Sequence, residues 1–150
     1  MIRAAAIAVR SGMRSGMRIA ARTGICISLA LGSAQACETR LRGAELHRIE
    51  GMRYALDWRA TPPIRVGEFF TLEVGLCARD GQPRPATLRV NATMPEHKHG
   101  MNYRPSVTPK GSERFEATGL MLHMPGRWEL TFEVNTGAEA EVLRAEIILP

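Results

Sequence analysis

The feature that most constrains this chain is a strict two-residue alternation near its C-terminus. Trp128, Leu130, Phe132 and Val134 occupy one parity, and Arg127, Glu129, Thr131 and Glu133 the other. A helix would scatter these eight residues around its circumference. A strand sends successive side chains to opposite faces, so the apolar four line one face and the polar four the other. An apolar sheet face must be covered by a second layer, so the alternation predicts a packed sheet with Trp128 in its core.

The same period recurs upstream. Met52, Tyr54, Leu56 and Trp58 alternate until Thr61-Pro62-Pro63 breaks the run. Phe70, Leu72, Val74 and Leu76 form the next apolar face, and Asp80-Gly81-Gln82-Pro83-Arg84-Pro85 is a loop. Leu88, Val90, Ala92 and Met94 alternate with Thr87, Arg89, Asn91 and Thr93. Pro95 ends that strand because it has no N–H for a ladder. A strand from Tyr103 to Thr108 leads to the turn Pro109-Lys110-Gly111-Ser112. Arg114–Leu122 returns, with Phe115 and Ala117 opposite Glu116 and Thr118. Pro125-Gly126 suits the centre of a type II turn, where Gly supplies the positive φ. Asn135-Thr136-Gly137 turns the chain into a last strand carrying Leu143, Ala145, Ile147 and Leu149. About seven short strands in just over 110 residues predict an all-β fold, a single immunoglobulin-like antiparallel β-sandwich. The polar stretch Glu38–Glu50 reads as a short helical turn or an extended tail, and His47 within it as a solvated surface histidine.

The first 36 residues have another character. They hold Arg3, Arg10, Arg14, Arg18 and Arg22 and no acid. The apolar run from Gly24 to Leu31 follows, then the small-x-small site Ala34-Gln35-Ala36. Basic, apolar, then small is the order of a secretory signal peptide, with Met13 and Met17 as alternative starts. The apolar run is far shorter than the roughly 20 residues a membrane-spanning helix needs, so no stable membrane span is expected after cleavage. The predicted organisation is a leader over 1–36 and one domain over 37–150, exported to the periplasm or secreted.

Removing the leader changes the charge. The whole chain has 20 basic and 15 acidic residues, and the leader accounts for the excess. No basic patch is left to argue for nucleic acid or an anionic membrane. Of three cysteines, Cys26 departs with the leader. Cys37 and Cys77 remain as an even pair in an oxidising setting, so a disulfide between them is expected.

The chemistry concentrates in Met94-Pro95-Glu96-His97-Lys98-His99-Gly100-Met101 and in His123-Met124-Pro125-Gly126 downstream. His97, His99 and Met101 are two apart, so in an extended segment they share a face. A hairpin centred near Gly111 places His99 opposite His123 and Met101 opposite Met121, with directly paired Cβ atoms about 5 Å apart. Imidazole nitrogen with thioether sulfur is a borderline-to-soft donor set that suits copper, Cu(I) most where Met dominates. The candidate ligands are therefore His97, His99, Met101 and His123, with Met94 and Met124 as additional possibilities. Met94 and Met121 also lie on apolar strand faces, where core filling is the simpler role.

Other chemistries fit less well. Structural zinc favours Cys ligands, and these are expected to be oxidised. A blue-copper site needs a thiolate, and calcium needs several carboxylates where the cluster offers only Glu96. No nucleophile–base pair or phosphate loop stands out, so no enzyme is expected.

Over about Trp58 to Val134 the chain resembles the YtkA-like/FixH-like group of small exported or membrane-anchored β-sandwich domains. The likeness rests on three stretches. They are Pro63-Ile64-Arg65-Val66-Gly67-Glu68 leading into a strand, Met94–Met101, and Leu122-His123-Met124-Pro125-Gly126-Arg127-Trp128-Glu129-Leu130. The resemblance implies an immunoglobulin-like fold and a part in copper handling or oxidase assembly, with His97, His99, Met101 and His123 as ligands. Two functions follow as expectations. One is an exported copper-binding chaperone or buffer that serves a copper-receiving or redox protein. The other is a non-metal module that docks a membrane or redox partner through the same loops, with Tyr103 among the contacts.

Overall fold

The structure, a computed structural model, describes residues 37–150 apart from residue 112. The expected leader and its cleavage site lie outside the described residues. Nine strands follow in order: β1 (His47–Glu50), β2 (Tyr54–Thr61), β3 (Phe69–Ala78), β4 (Thr87–Met94), β5 (His99–Gly100), β6 (Ser106–Pro109), β7 (Arg114–Met121), β8 (Gly126–Asn135) and β9 (Ala140–Leu149). One sheet has the order β1-β2-β3-β7-β6 and the other β5-β4-β8-β9. Every pairing is antiparallel. The protein is an all-β sandwich.

The inward parities are those the alternation predicts. Tyr54, Leu56 and Trp58 of β2 and Leu72, Val74 and Leu76 of β3 pack in one core with Val90, Ala92 and Met94 of β4. Trp128, Leu130, Phe132 and Val134 of β8 complete it, all fully buried. The count rises from about seven strands to nine because two short strands carry no periodic signature. β1 has four residues and β5 two. β2 begins at Tyr54, leaving Met52 90 % exposed before it.

β2 is buried on both faces from Tyr54 to Trp58. Its inner face meets the core, and its outer face lies under the N-terminal segment. Cys37 and Cys77 form a disulfide, with Cα atoms 5.7 Å apart. Beyond it Thr39 and Leu41 lie down on the sheet, buried as deeply as core residues. Thr39 donates its hydroxyl to Asp57, and Arg48 reaches both Asp57 oxygens at 3.2 Å. Gly75 is small for this reason: an added Cβ would stand 3.0 Å from Leu41 and 3.2 Å from Thr39. The stretch 38–50 is thus extended and not a helical turn, a strap followed by an edge strand that is held to the sheet.

A bulge sets the phase of β7. Phe70 pairs with Leu120 and Leu72 with Ala117, so Thr118 and Gly119 together oppose Thr71. Gly119 has φ +79, the left-handed region that a glycine-led bulge uses. Unbroken alternation from Phe115 and Ala117 would bring Met121 and then His123 into the core. The extra residue gives the core positions to Leu120 and Leu122, both fully buried. Met121 is turned half out and pairs with Phe69. Its expected place in the core, and its expected position opposite Met101, are corrected.

β6 is shorter than the strand expected from Tyr103 to Thr108, and its register differs. Ser106 pairs with Thr118 and Pro109 with Phe115. A turn centred on Gly111 would have paired Ser106 with Glu116. Met101 N–H donates to the Ala92 carbonyl at 3.1 Å, and the chain then crosses to β6 in the other sheet. Among the described residues no helix is long and apolar enough to cross a membrane.

Candidate functional site

The Met94–Met101 segment folds as a tight hairpin. Pro95 stops the β4 ladder, and the His97 N–H donates to the Met94 carbonyl at 3.2 Å. Lys98 closes the loop at φ +55, and His99 returns beside Met94 as the first residue of β5. A four-residue loop built on such a turn is a common hairpin connection. His99 therefore pairs with Met94, and the expected pairing with His123 across a hairpin centred on Gly111 does not occur.

The two pieces nevertheless meet by another route. β7 and β8 belong to different sheets, so residues 122–125 cross from one to the other at the end where the 95–98 loop lies. The crossover is anchored by the Leu122 carbonyl, which accepts from the Gly67 N–H at 2.8 Å. His123 is carried on this crossover. Its ring centre is 5.3 Å from that of His99, with planes inclined at 34°. His97, exposed in the loop, lies 5.8 Å from His99 on ring centres. His99 thus neighbours both other histidines.

Two nitrogens in this group are buried without a hydrogen-bond partner, Nε2 of His99 and Nδ1 of His123. A buried polar atom left unpaired costs about 1–3 kcal/mol, so such an atom calls for an account. Trp58 Nε1 and Arg59 Nε are left unpartnered too, so orphaning alone points to no ligand, but the ring spacing of the two histidines is compatible with a shared ion. An imidazole bound through one nitrogen at about 2.1 Å sets its ring centre about 3.2 Å from an ion, so two at tetrahedral angles lie about 5.2 Å apart. The His99–His123 pair has that spacing. Among the described residues no three His, Cys, Asp or Glu side chains gather closely enough to hold a metal ion by themselves. A third donor in this arrangement would therefore be a thioether, and His97 could join only if its exposed loop moved closer.

The methionines divide by role. Met94 is buried, its methyl 3.0 Å from where a Cβ on Gly126 would sit, and it fills the core. Met101 and Met124 are partly buried and pack against the edge of the core at the two ends of the site's segments. Glu96 takes no part. Arg127 bridges it to Glu146 with two bonds of 3.1 Å, tying the loop to β8 and β9. The Glu146 and Glu96 carboxylates raise the pKa of the Arg127 guanidinium above its already high value. His47 stands elsewhere, stacked on Trp58 with ring centres 4.4 Å apart, exposed as expected.

Trp128 has a part that sequence reading missed. Its indole meets His99 and His123 edge to face, at 6.0 and 5.4 Å. Its Nε1–H donates to the Met124 carbonyl at 2.9 Å. One fully buried ring therefore fixes the crossover and limits the tilt of both imidazoles, as outer-sphere partners do for metal ligands. The available signal was its position, four residues after Met124. Alternation alone marked it as core.

The chain matches no protein-family model, no curated protein and no solved structure.

Proposed function

We propose that this is an exported copper-binding protein of the YtkA-like/FixH-like kind, a chaperone or buffer that passes copper to a receiving or redox partner in the periplasm or outside the cell. The observation that carries the reading is the pair of buried, unpartnered nitrogens, His99 Nε2 and His123 Nδ1, on rings 5.3 Å apart. His97 and the sulfurs of Met101 and Met124 are the candidates to complete the shell, and Met94 is the least accessible donor of the group. Nitrogen with thioether donors suits both copper oxidation states, with Cu(I) favoured as sulfur is added. An incomplete, partly exposed shell also suits cargo that must leave again.

Titration with Cu(I) and Cu(II), with metal analysis of the exported protein, tests the reading. The parent should bind close to one copper. His99→Ala and His123→Ala should each weaken binding at least about ten-fold, and the double variant should add less than the second single change alone, because the two residues act on one ion. Met101→Leu should weaken Cu(I) more than Cu(II). Protons compete for imidazole nitrogen, so affinity should fall on acidification. His47→Ala should leave binding unchanged. A His123→Ala variant that binds as tightly as the parent overturns the shared site.

A second reading is favoured by one observation. Phe69 and Tyr103 form an edge-to-face pair at 5.1 Å while 53 % and 47 % exposed. Phe69 pairs with Met121, two residues before His123. Exposed aromatics beside loops mark contact surfaces, so this end would dock a redox or membrane partner without metal. Protein that binds neither oxidation state, yet loses partner binding on Tyr103→Ala, would establish that reading in place of copper.

A further inference from the structure

The crossing from β5 to β6 leaves a strand edge open. β4 pairs with β8 along one side from Thr87 to Thr93. Along its other side β5 covers only Thr93 and Met94, and the Met101 N–H adds a single bond to the Ala92 carbonyl. Both backbone polar groups of a strand residue point to the same side, and the side alternates along the chain. Ala92 points toward β5. Asn91 points toward β8, where its carbonyl accepts from the Thr131 hydroxyl at 3.4 Å. By the same alternation Leu88 and Val90 aim N–H and C=O at the open side. The Ala92 N–H in that row is already capped by its neighbour, Oδ1 of Asn91, at 2.9 Å. Leu88 and Val90 follow Thr87 and Arg89, and neither N–H has such a side-chain cap among the described residues.

These two residues line a groove of about 680 Å³, with Arg89, Tyr103, Arg104 and Val107 also on its walls. The groove has a sign. Its walls carry two cations, Arg89 and Arg104, against one carboxylate, Glu133, which Arg89, with its side chain 77 % exposed, meets at 3.5 Å, so the balance is positive. An unpaired strand edge is a template for another strand, and a chain added there satisfies four backbone groups at once. Alternate side chains of the added strand face the same way. We propose that the open edge of β4 binds an extended peptide segment of a partner protein. Its backbone pairs with Leu88 and Val90, and its carboxylates, at alternate positions, meet Arg89 and Arg104. The pairing uses neither His99 nor His123, but Met101, a candidate copper donor, lines the groove, so the peptide is tested on metal-free protein.

Residue-resolved amide exchange by nuclear magnetic resonance on the isotope-labelled chain tests it. In the free protein the Leu88 and Val90 amides should exchange quickly, and those of Arg89 and Asn91, bonded to β8, slowly. The probe is the acidic peptide acetyl-Thr-Glu-Val-Glu-Thr-amide. It should slow exchange at Leu88 and Val90 and shift their resonances. The same peptide with Lys for Glu should bind at least about ten-fold more weakly, and Arg104→Glu should reverse that order. Methylating the nitrogens that face β4 should abolish the protection. Shifts at Arg104 without protection at Leu88 and Val90 would reduce the contact to charge alone and overturn the proposal. So would slow exchange of both amides in the free protein. Protection that grows with protein concentration, in the absence of peptide, would assign the edge to a second copy of the chain and overturn it as well.

Discussion

Tyr54 lies on the inner face of β2 with its ring buried and its hydroxyl donating to the Pro83 carbonyl at 2.8 Å. Burial raises the pKa of that hydroxyl, because a phenolate there would lose its water. The unfolded chain releases this proton near pH 10, and the folded chain holds it to higher pH. Stability from this group is therefore complete below about pH 10 and is lost as pH rises through the folded value. Tyr54→Phe should flatten that alkaline fall while costing about 1 kcal/mol at neutral pH for the lost hydrogen bond. Denaturant unfolding of both proteins across the alkaline range checks it, and an identical alkaline fall in the variant would refute the assignment. Single residues were unevenly legible. Trp128 was placed in the core by parity alone, and its contacts with His99 and His123 were not, because parity gives a face and not a neighbour in the loops.

At the scale of elements, alternation marked the long strands and missed what depends on one extra residue. The run from Phe115 reads as unbroken up to Met121, and only the phase of Leu120 and Leu122 betrays the bulge at Gly119. Nothing lies within 4 Å of a Cβ added to Gly119, so the position is restricted by its backbone and not by space. Gly119→Ala should thus cost about 1–2 kcal/mol, the penalty of placing a side chain in the left-handed region. A change of less than a few tenths, measured by chemical denaturation, would mean the ladder relaxes into the regular register. Losing the bulge would also rotate the approach to His123. The hairpin error has the same kind of source. His99 could be placed at one end of the molecule from sequence, but its partner depended on whether the chain after Met101 stayed in one sheet or crossed to the other.

For the whole molecule, the two-sheet class was legible because a face of Trp128, Leu130, Phe132 and Val134 requires a second face, and β3 and β4 carry matching ones. The strap was not, since Cys37, Thr39 and Leu41 alternate with Glu38, Arg40 and Arg42 over only six residues, too short a run to mark a strand, and the disulfide and Asp57 hold the buried members down. One further consequence comes from the two routes by which the histidines arrive. His99 is delivered by the β4–β5 hairpin of one sheet, and His123 by the segment leaving the other. Whatever spans their two free nitrogens is a clasp between the layers, fastened only after both have docked. Contacts completed late in folding act on the rate of escape and hardly on the rate of entry into the native state. Copper at saturating concentration should therefore slow unfolding in stopped-flow experiments while refolding from denaturant proceeds at nearly its metal-free rate. Acceleration of refolding with unchanged unfolding would place the clasp in the nucleus instead. Under the proposed copper reading, a bound ion would govern how long the sandwich stays shut, and the cargo would set the lifetime of its carrier.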